Sequence, residues 1–371
     1  MLCLAIETSC DDTSVAILEY SNSLNFEDIC NNTRVLSMVV SSQISVHENY
    51  GGVIPELGAR LHTTNFQHVL IEAIEKAVVE LKITLDEFWI RLNIIAVTSE
   101  PGLSSALKVG LEEAKALKYY INNICNNNVE IIKVNHLKGH IASAFLSKDE
   151  LVTNPFPHLH LLVSGGNTQM IKLTSWLDSE IIGKTVDDAV GECYDKTARM
   201  LGFKYPGGVS LAKTAGMESG NYFKLNKAMV NDSLNLSFSG LKTQIRYLVQ
   251  KAKIEGLEYD KNLEPYELDT LTKPNLEDNL SDLSPKLEFI TNMCISIQTI
   301  CTEQMVRKFK LALKKDLYRT IGVSGGVSAN LMLRTSLSDL KLKLYTPSLK
   351  LTGDNAAMIG LAGILDHLHK N

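Results

Sequence analysis

Apolar residues along this chain follow two rhythms, one of short runs and one of helical spacing. The runs Leu2-Cys-Leu-Ala-Ile6 and Ser14-Val-Ala-Ile-Leu18 flank the polar stretch Glu7-Thr-Ser-Cys-Asp-Asp-Thr13 and read as two strands joined by a turn. The same layout returns as His158-Leu-His-Leu-Leu-Val163, Ser164-Gly-Gly-Asn167 and Thr168-Gln-Met-Ile-Lys-Leu173, which hints at an internal duplication. Between the two, Leu70, Ile74, Ala77, Val78 and Leu81 recur at helical spacing within a stretch running from Pro55. A second helix is expected from Leu103 to Ile121, after the strand Ile94-Ile-Ala-Val97 and the turn Pro101-Gly102. Further on, the strand Arg319-Thr-Ile-Gly-Val323 leads into the glycine turn Ser324–Asn330 and a helix from Leu331. A last helix is expected within Gly353–Gly363, with Asp354 at its N-terminus. Strands alternating with helices predict an α/β architecture. The stretch 254–284 is acidic and polar, contains Pro265 and Pro274, and reads as an inserted loop.

A length of 371 residues is long for one core, so two lobes are expected. The longest apolar runs fall far short of a membrane span. Met1–Ile6 lacks the basic n-region of a signal peptide, and no Arg-rich transit segment precedes it, so a cytoplasmic protein is expected. Seven scattered cysteines without a C-x-x-C pair fit reduced thiols. A net charge of −5 gives no global nucleic-acid footprint, although basic clusters occur at Lys242–Lys253 and Arg307–Arg319.

The strongest chemical signal is His136-Leu-Lys-Gly-His140. Histidines four apart in a helix share a face and can reach one metal ion, with two histidines that merely share a face as the alternative. Ser164-Gly165-Gly166, Gly207-Gly208 and Ser324-Gly325-Gly326 are turns in which a phosphate or ribose can approach the backbone closely. Asp11, Asp12, Asp187, Asp188, Asp195 and Asp354 lie in or beside such turns, as ligand-binding acids or as helix caps and solvated turn acids.

Taken together these motifs resemble the TsaD family, the tRNA N6-adenosine threonylcarbamoyltransferases. The resemblance keeps one order over nearly the whole chain: Glu7–Thr13, Tyr50-Gly-Gly-Val-Ile-Pro-Glu56, Asn135–His140, Leu162–Gly166, Asp187-Asp-Ala-Val-Gly-Glu192, Asp195-Lys196, Tyr205-Pro-Gly-Gly208, Ser237-Phe-Ser-Gly-Leu-Lys-Thr243, Gly325–Asn330 and Thr352–Met358. It implies an actin-like ATPase fold, related to Hsp70 and the sugar kinases, with two related lobes around a central cleft. The expected division is 1–132 and 133–371, with the last helix packing back on the first lobe. By the same resemblance His136, His140 and Asp354 hold one divalent ion, Fe(2+) first and Zn(2+) as the alternative. Leu162, Val163, Ser164, Gly165 and Gly166 would cradle phosphate or the transferred group. Asp195, Gly208 and Asn330 would bind the adenosine part of threonylcarbamoyl-AMP, and Asp11 would position or deprotonate the attacking amine. The acceptor is N6 of the adenosine just 3′ of the anticodon, in tRNAs reading codons that begin with adenine, and AMP leaves.

The implied partners are tRNA, a TsaB-like paralogue and a TsaE-like ATPase, with the helices of Pro55–Leu81 and Leu103–Ile121 as contact surface and a homodimer as the state in isolation. Three positions depart from the family pattern: Asn167 in place of His, Val209 in place of Pro, and Ala212 in place of an acid that helps bind the nucleotide. A metallopeptidase of the H-E-x-x-H kind is disfavoured because Leu137 follows the first histidine. A sugar kinase or a non-catalytic scaffold on the same fold would need neither histidine.

Overall fold

The computed structural model describes residues 1–146, 151–229, 231–254 and 285–370. All of the expected insertion except Ile254 lies outside the described residues.

Two five-stranded sheets carry the chain. The first is built from β1 (Leu2–Glu7), β2 (Asp12–Glu19), β3 (Arg34–Ser42), β4 (Leu92–Glu100) and β5 (Glu130–Asn135), in the order β3-β2-β1-β4-β5. The second contains β6 (His158–Val163), β7 (Thr168–Leu173), β8 (Ser179–Lys184), β9 (Thr320–Ser324) and β10 (Lys343–Tyr345), in the order β10-β9-β6-β7-β8. Read from β3 and from β8 the two orders are the same. In each, three strands form an antiparallel meander and the last two add in parallel. This repeated topology is the structural form of the duplicated hairpins, and with its flanking helices it is an actin-like α/β fold.

Outside the hairpin turns the connections are helical. In the first half they are α1 (Phe26–Asn32), α2 (Ile44–His47), α3 (Pro55–Leu81), α4 (Leu85–Arg91), α5 (Ser104–Asn123) and α6 (His136–Ser143). In the second they are α7 (Val190–Met200), α8 (Gly208–Ala215), α9 (Ser239–Ile254), α10 (Pro285–Lys315), α11 (Leu331–Ser338) and α12 (Ala356–Lys370). Local signals set several ends. Pro55 occupies the first turn of α3, and Thr84 and Glu87 form a reciprocal capping box on α4.

Side-chain alternation divides the first sheet cleanly. Leu2, Leu4 and Ile6 face α3, α4 and α5, whereas Cys3 and Ala5 face α12. The residues beneath α12 are small for a reason. A Cβ on Gly360 would fall 2.3 Å from Leu18, and one on Gly363 2.5 Å from Ala96, so the helix lies directly on the sheet. α12 therefore packs on β1, β2, β4 and β5 and also on α6. The same apolar cluster takes in Leu162, Ile171, Leu173 and Trp176 of the second half, joining the halves beneath the cleft.

Candidate metal and nucleotide site

Helix α6 starts where Asn135 caps it, its Oδ1 accepting the amides of Leu137 at 3.0 Å and Lys138 at 3.2 Å. That start places His136 and His140 one turn apart on one face, with ring centroids 4.7 Å from each other. Asp354 arrives from the other end of the sequence, two residues before α12, whose start is fixed by Asn355 Oδ1 accepting the amide of Met358 at 3.0 Å. Asp354 Oδ1 lies 3.5 Å from His136 Nε2 and 3.2 Å from His140 Nε2. One potential ligand atom from each of the three residues falls within 4.8 Å of the others. His140 is buried, and neither of its ring nitrogens makes a hydrogen bond among the described residues, the short approach to Asp354 being misaligned for one. Leaving such a group unmatched is costly, and a cation between the imidazoles and the carboxylate would satisfy it. Two nitrogens and a carboxylate oxygen suit Fe(2+) and Zn(2+) alike.

Behind His136 stands a residue that the sequence reading did not assign. Glu7 is fully buried at the end of β1, and its Oε2 lies 3.1 Å from His136 Nδ1. The carboxylate is held in turn by the Ser9 amide at 2.5 Å and by Thr98 Oγ1 at 2.6 Å. A carboxylate on Nδ1 fixes the tautomer that leaves Nε2 for an ion. Burial favours neutral His136, yet Asp354 and then Glu7 raise its pKa to about 9. Burial works against ionised Asp354 too, and His136 followed by His140 outweighs it, holding that acid at about 2.

Two of the three glycine turns meet at the end of β6. Leu162 and Val163 are buried inside the strand, opposite Gln169 and Thr168. The turn that follows closes on itself, Ser164 N donating to Asn167 O at 2.8 Å and Asn167 N to Ser164 Oγ at 3.1 Å. Among the described residues the amides of Gly165 and Gly166 have no such partner, so of the five expected positions these two present free donors. Two other glycines allow the close packing. A Cβ on Gly191, in the first turn of α7, would lie 2.5 Å from Ser164 O, and one on Gly325 would lie 2.3 Å from Val163 O. Gly325 also has φ +89°, a region open chiefly to glycine. Asn330 lies close by, but its side chain caps α11 through Leu333 N at 3.0 Å and donates to Gln298 Oε1 at 2.7 Å.

Asp195 on α7 accepts the amide of Gly208 at 2.8 Å. Burial raises its pKa, while the Gly208 and Gly207 amides and the charge of Arg199 act in the opposite sense. Tyr205 is pushed up to about 12, by burial first and then by Asp11 and Asp195, so its phenol feels an acid from each half of the chain. In the β1–β2 turn, Asp11 is half-buried. Its neighbour Asp12 is raised to about 7 by burial first, with Asp11, Asp354 and Glu7 adding to the effect against one hydrogen bond from Ser42. Asp12 Oδ1 has no hydrogen-bond partner among the described residues.

Several signals have structural roles instead. Asp187 accepts the amides of Phe238 and Ser239 and the Ser239 hydroxyl at the start of α9, and Asp188 pairs with Lys242 at 2.8 Å. Within the second basic cluster, Arg307 and Lys308 donate to the backbone carbonyls of Ala228, Met229, Asn231 and Ser233.

The sequence profile described as TsaD, tRNA N6-adenosine threonylcarbamoyltransferase, matches residues 34–361. A protein of that name from Christiangramia forsetii is 37% identical over 372 residues, covering 99% of this chain and 94% of the relative. Another from Streptococcus suis is 36% identical over 373 residues, covering 100% and 94%. Among solved structures, full-length HypF in its phosphate- and nucleotide-bound form aligns over 100% of this chain and 47% of its own, with a TM-score of 0.56 at 14% identity, a likeness of fold.

Proposed function

The chain belongs to the tRNA N6-adenosine threonylcarbamoyltransferase (TsaD) family, and from that premise we propose how its cleft carries out the transfer. The enzyme is a transferase that modifies tRNA. We take its donor to be threonylcarbamoyl-AMP and its acceptor to be N6 of the adenosine 3′ of the anticodon. The observation that carries the reading is the juxtaposition of His136, His140 and Asp354 beside acids of the β1–β2 turn.

His136, His140 and Asp354 would hold one divalent ion, Fe(2+) in our proposal with Zn(2+) as the alternative. When bound, the ion supplies a Lewis acid for the carbonyl or phosphate oxygens of the donor. Glu7 keeps His136 in the ligating tautomer. The free amides of Gly165 and Gly166, backed by the N-terminus of α7, receive the phosphate. Asp195, the Gly207-Gly208 turn and Asn330 receive the adenosine, Asn330 being held by its cap on α11. An exocyclic adenine amine is a weak nucleophile, so orientation by Asp11 matters more than base strength. Asp12, whose pKa lies near neutrality, is the adjoining group suited to take the departing proton.

For partners we propose a TsaB-like paralogue on the surface of α3 and α5, where Ile71, Val79, Tyr119 and Tyr120 are exposed, together with a TsaE-like ATPase. The cytoplasm is the expected compartment. No helix among the described residues is long and apolar enough to cross a membrane.

The test is reconstitution with ATP, threonine, bicarbonate, unmodified tRNA, an adenylate-forming enzyme and the bacterial partners, followed by mass spectrometry of the digested nucleosides. N6-threonylcarbamoyladenosine from the wild type, and none from His136→Ala/His140→Ala, supports the proposal. Product persisting in the double variant would overturn the metal assignment. No product from the wild type, with partners proven on a known relative, would overturn the catalytic reading.

A further inference from the structure

The two halves of the chain touch across the cleft at a point outside the machinery described above. The segment between α2 and α3 is anchored to the Asp11 turn by buried groups. Gln43 N donates to Asp11 O at 2.9 Å, and Gln43 Nε2 donates to Gly58 O at 3.4 Å. His47 Nδ1 accepts the amide of Ile54 at 3.4 Å, which leaves its Nε2–H for Gln43 Oε1 at 3.1 Å. Gln43 and His47 are both inaccessible to solvent, so residues 48–53 project from Asp11 as a braced loop.

The tip of that loop is gripped from the other half. Arg199 Nη2 donates to Gly51 O at 2.6 Å, and Lys204 Nζ lies 3.7 Å from Glu48 Oε1. Gly51 has φ +70°, and a Cβ there would sit 3.8 Å from the guanidinium, so the carbonyl is presented to Arg199 on a turn that suits glycine. Arg199 also stands one helical turn beyond Asp195 on α7, and its charge favours the ionised form of that acid. One side chain thus stands beside the acid proposed to receive the nucleotide and holds the loop that is tied to Asp11 through His47 and Gln43.

We propose that Arg199 is an interlobe latch, a positioning residue that ties occupancy of the Asp195 site to placement of the 48–53 loop and hence of Asp11. Arg199 already holds the Gly51 carbonyl, and a nucleotide hydroxyl that engages Asp195, one turn earlier on α7, steadies the helix that carries the guanidinium. The proposal rests on the nucleotide reading of Asp195 given above.

Hydrogen exchange of the full-length protein, with AMP as the probe, tests it. In the wild type AMP slows exchange both around Gly207–Leu211 and at residues 48–54. In Arg199→Ala it slows only the first region, and the transfer reaction loses about tenfold in kcat while AMP affinity changes far less. Arg199→Lys, which keeps a charged donor, recovers part of the loop protection. AMP protecting 48–54 equally in Arg199→Ala would overturn the latch. AMP protecting Gly207–Leu211 but never 48–54 in the wild type would overturn the latch alone. Protection of neither region would overturn the nucleotide reading along with it.

Discussion

Glu7 and His136 are 129 residues apart in sequence and meet at 3.1 Å, carboxylate oxygen to Nδ1, in the floor of the cleft. The contact decides which imidazole nitrogen is available, because Nδ1–H donates to Glu7 and Nε2 faces Asp354 and His140. Second partners of this kind orient a ligand and raise its basicity. Glu7→Gln brings amide hydrogens to a pocket built around a carboxylate that already accepts from Ser9 and Thr98. Its affinity for Fe(2+) or Zn(2+) should fall by about 10- to 100-fold with the fold intact, as read by metal titration alongside circular dichroism. Undiminished affinity would mean that the contact does not support the ligand.

The packing of Gly191 against Ser164 O makes the Gly165–Gly166 turn sensitive to a single methyl group. Gly191→Ala places a Cβ 2.5 Å from a backbone oxygen, so α7 or the turn must shift. Overpacking of this sort costs about 1–3 kcal/mol. The expected result is a lower melting temperature and a weakened affinity for AMP, measured calorimetrically. Unchanged AMP affinity despite the lower melting temperature would detach the turn from nucleotide binding.

Periodicity made the elements legible because each buries a face, and α3 runs from Pro55 to Leu81 as the spacing and the proline predict. The histidine pair was legible since helical geometry is local, and the repeated hairpins foretold the two matching sheets. What sequence could not supply is who stands behind whom. Glu7 reads as one more acid near a turn until β1, β4 and α6 bring it under His136. Among Leu162–Gly166, only folding shows that the strand and the turn engage the first three residues and leave two amides free. The two contacts of Asn330, a cap on α11 and a bond to Gln298, are likewise visible only in the fold, since a side-chain amide at that position can serve the backbone. Arg307 and Lys308, part of a basic cluster that reads as a nucleic-acid candidate, hold carbonyls.

A buried chain in the second sheet predicts sensitivity to acid. Thr320 Oγ1 donates to Pro155 O at 2.6 Å and accepts from His158 Nδ1 at 2.7 Å. His158 Nε2 then accepts from His160 Nδ1 at 3.1 Å, and His160 Nε2 from Ser324 Oγ at 2.7 Å. Every link requires neutral imidazoles. Burial lowers the pKa of His158 to about 3 and that of His160 well below the ordinary value. A depressed folded pKa means that stability is complete above about 6.5, where the unfolded histidine is also neutral, and declines as pH falls toward the folded value. His158 alone should remove about 2 kcal/mol between pH 6.5 and 5. Urea midpoints at the two pH values should converge in His158→Phe/His160→Ala relative to the wild type. An equal pH dependence in both proteins would show that the chain does not govern it.

Asp12 yields the last prediction, on the pH dependence of transfer. Burial, then the nearby Asp11, Asp354 and Glu7, raise its pKa to about 7, against one hydrogen bond from Ser42. A carboxylate raised in this way accepts a proton only above its pKa, so a base role gives kcat/KM a rising limb that is lost as pH falls. The limb lies at or below pH 7, because a cation on Asp354 offsets part of the effect of the acids. Asp12→Asn keeps the side chain's shape and removes the titration. Its rate should drop about 100- to 10,000-fold if the proton is taken there, with that limb abolished and AMP affinity close to the wild type. Asp11→Asn should lower the rate through lost orientation and keep the limb, moved to lower pH because the Asp11 charge helps raise the Asp12 pKa. A limb that survives in Asp12→Asn would assign the proton to another group.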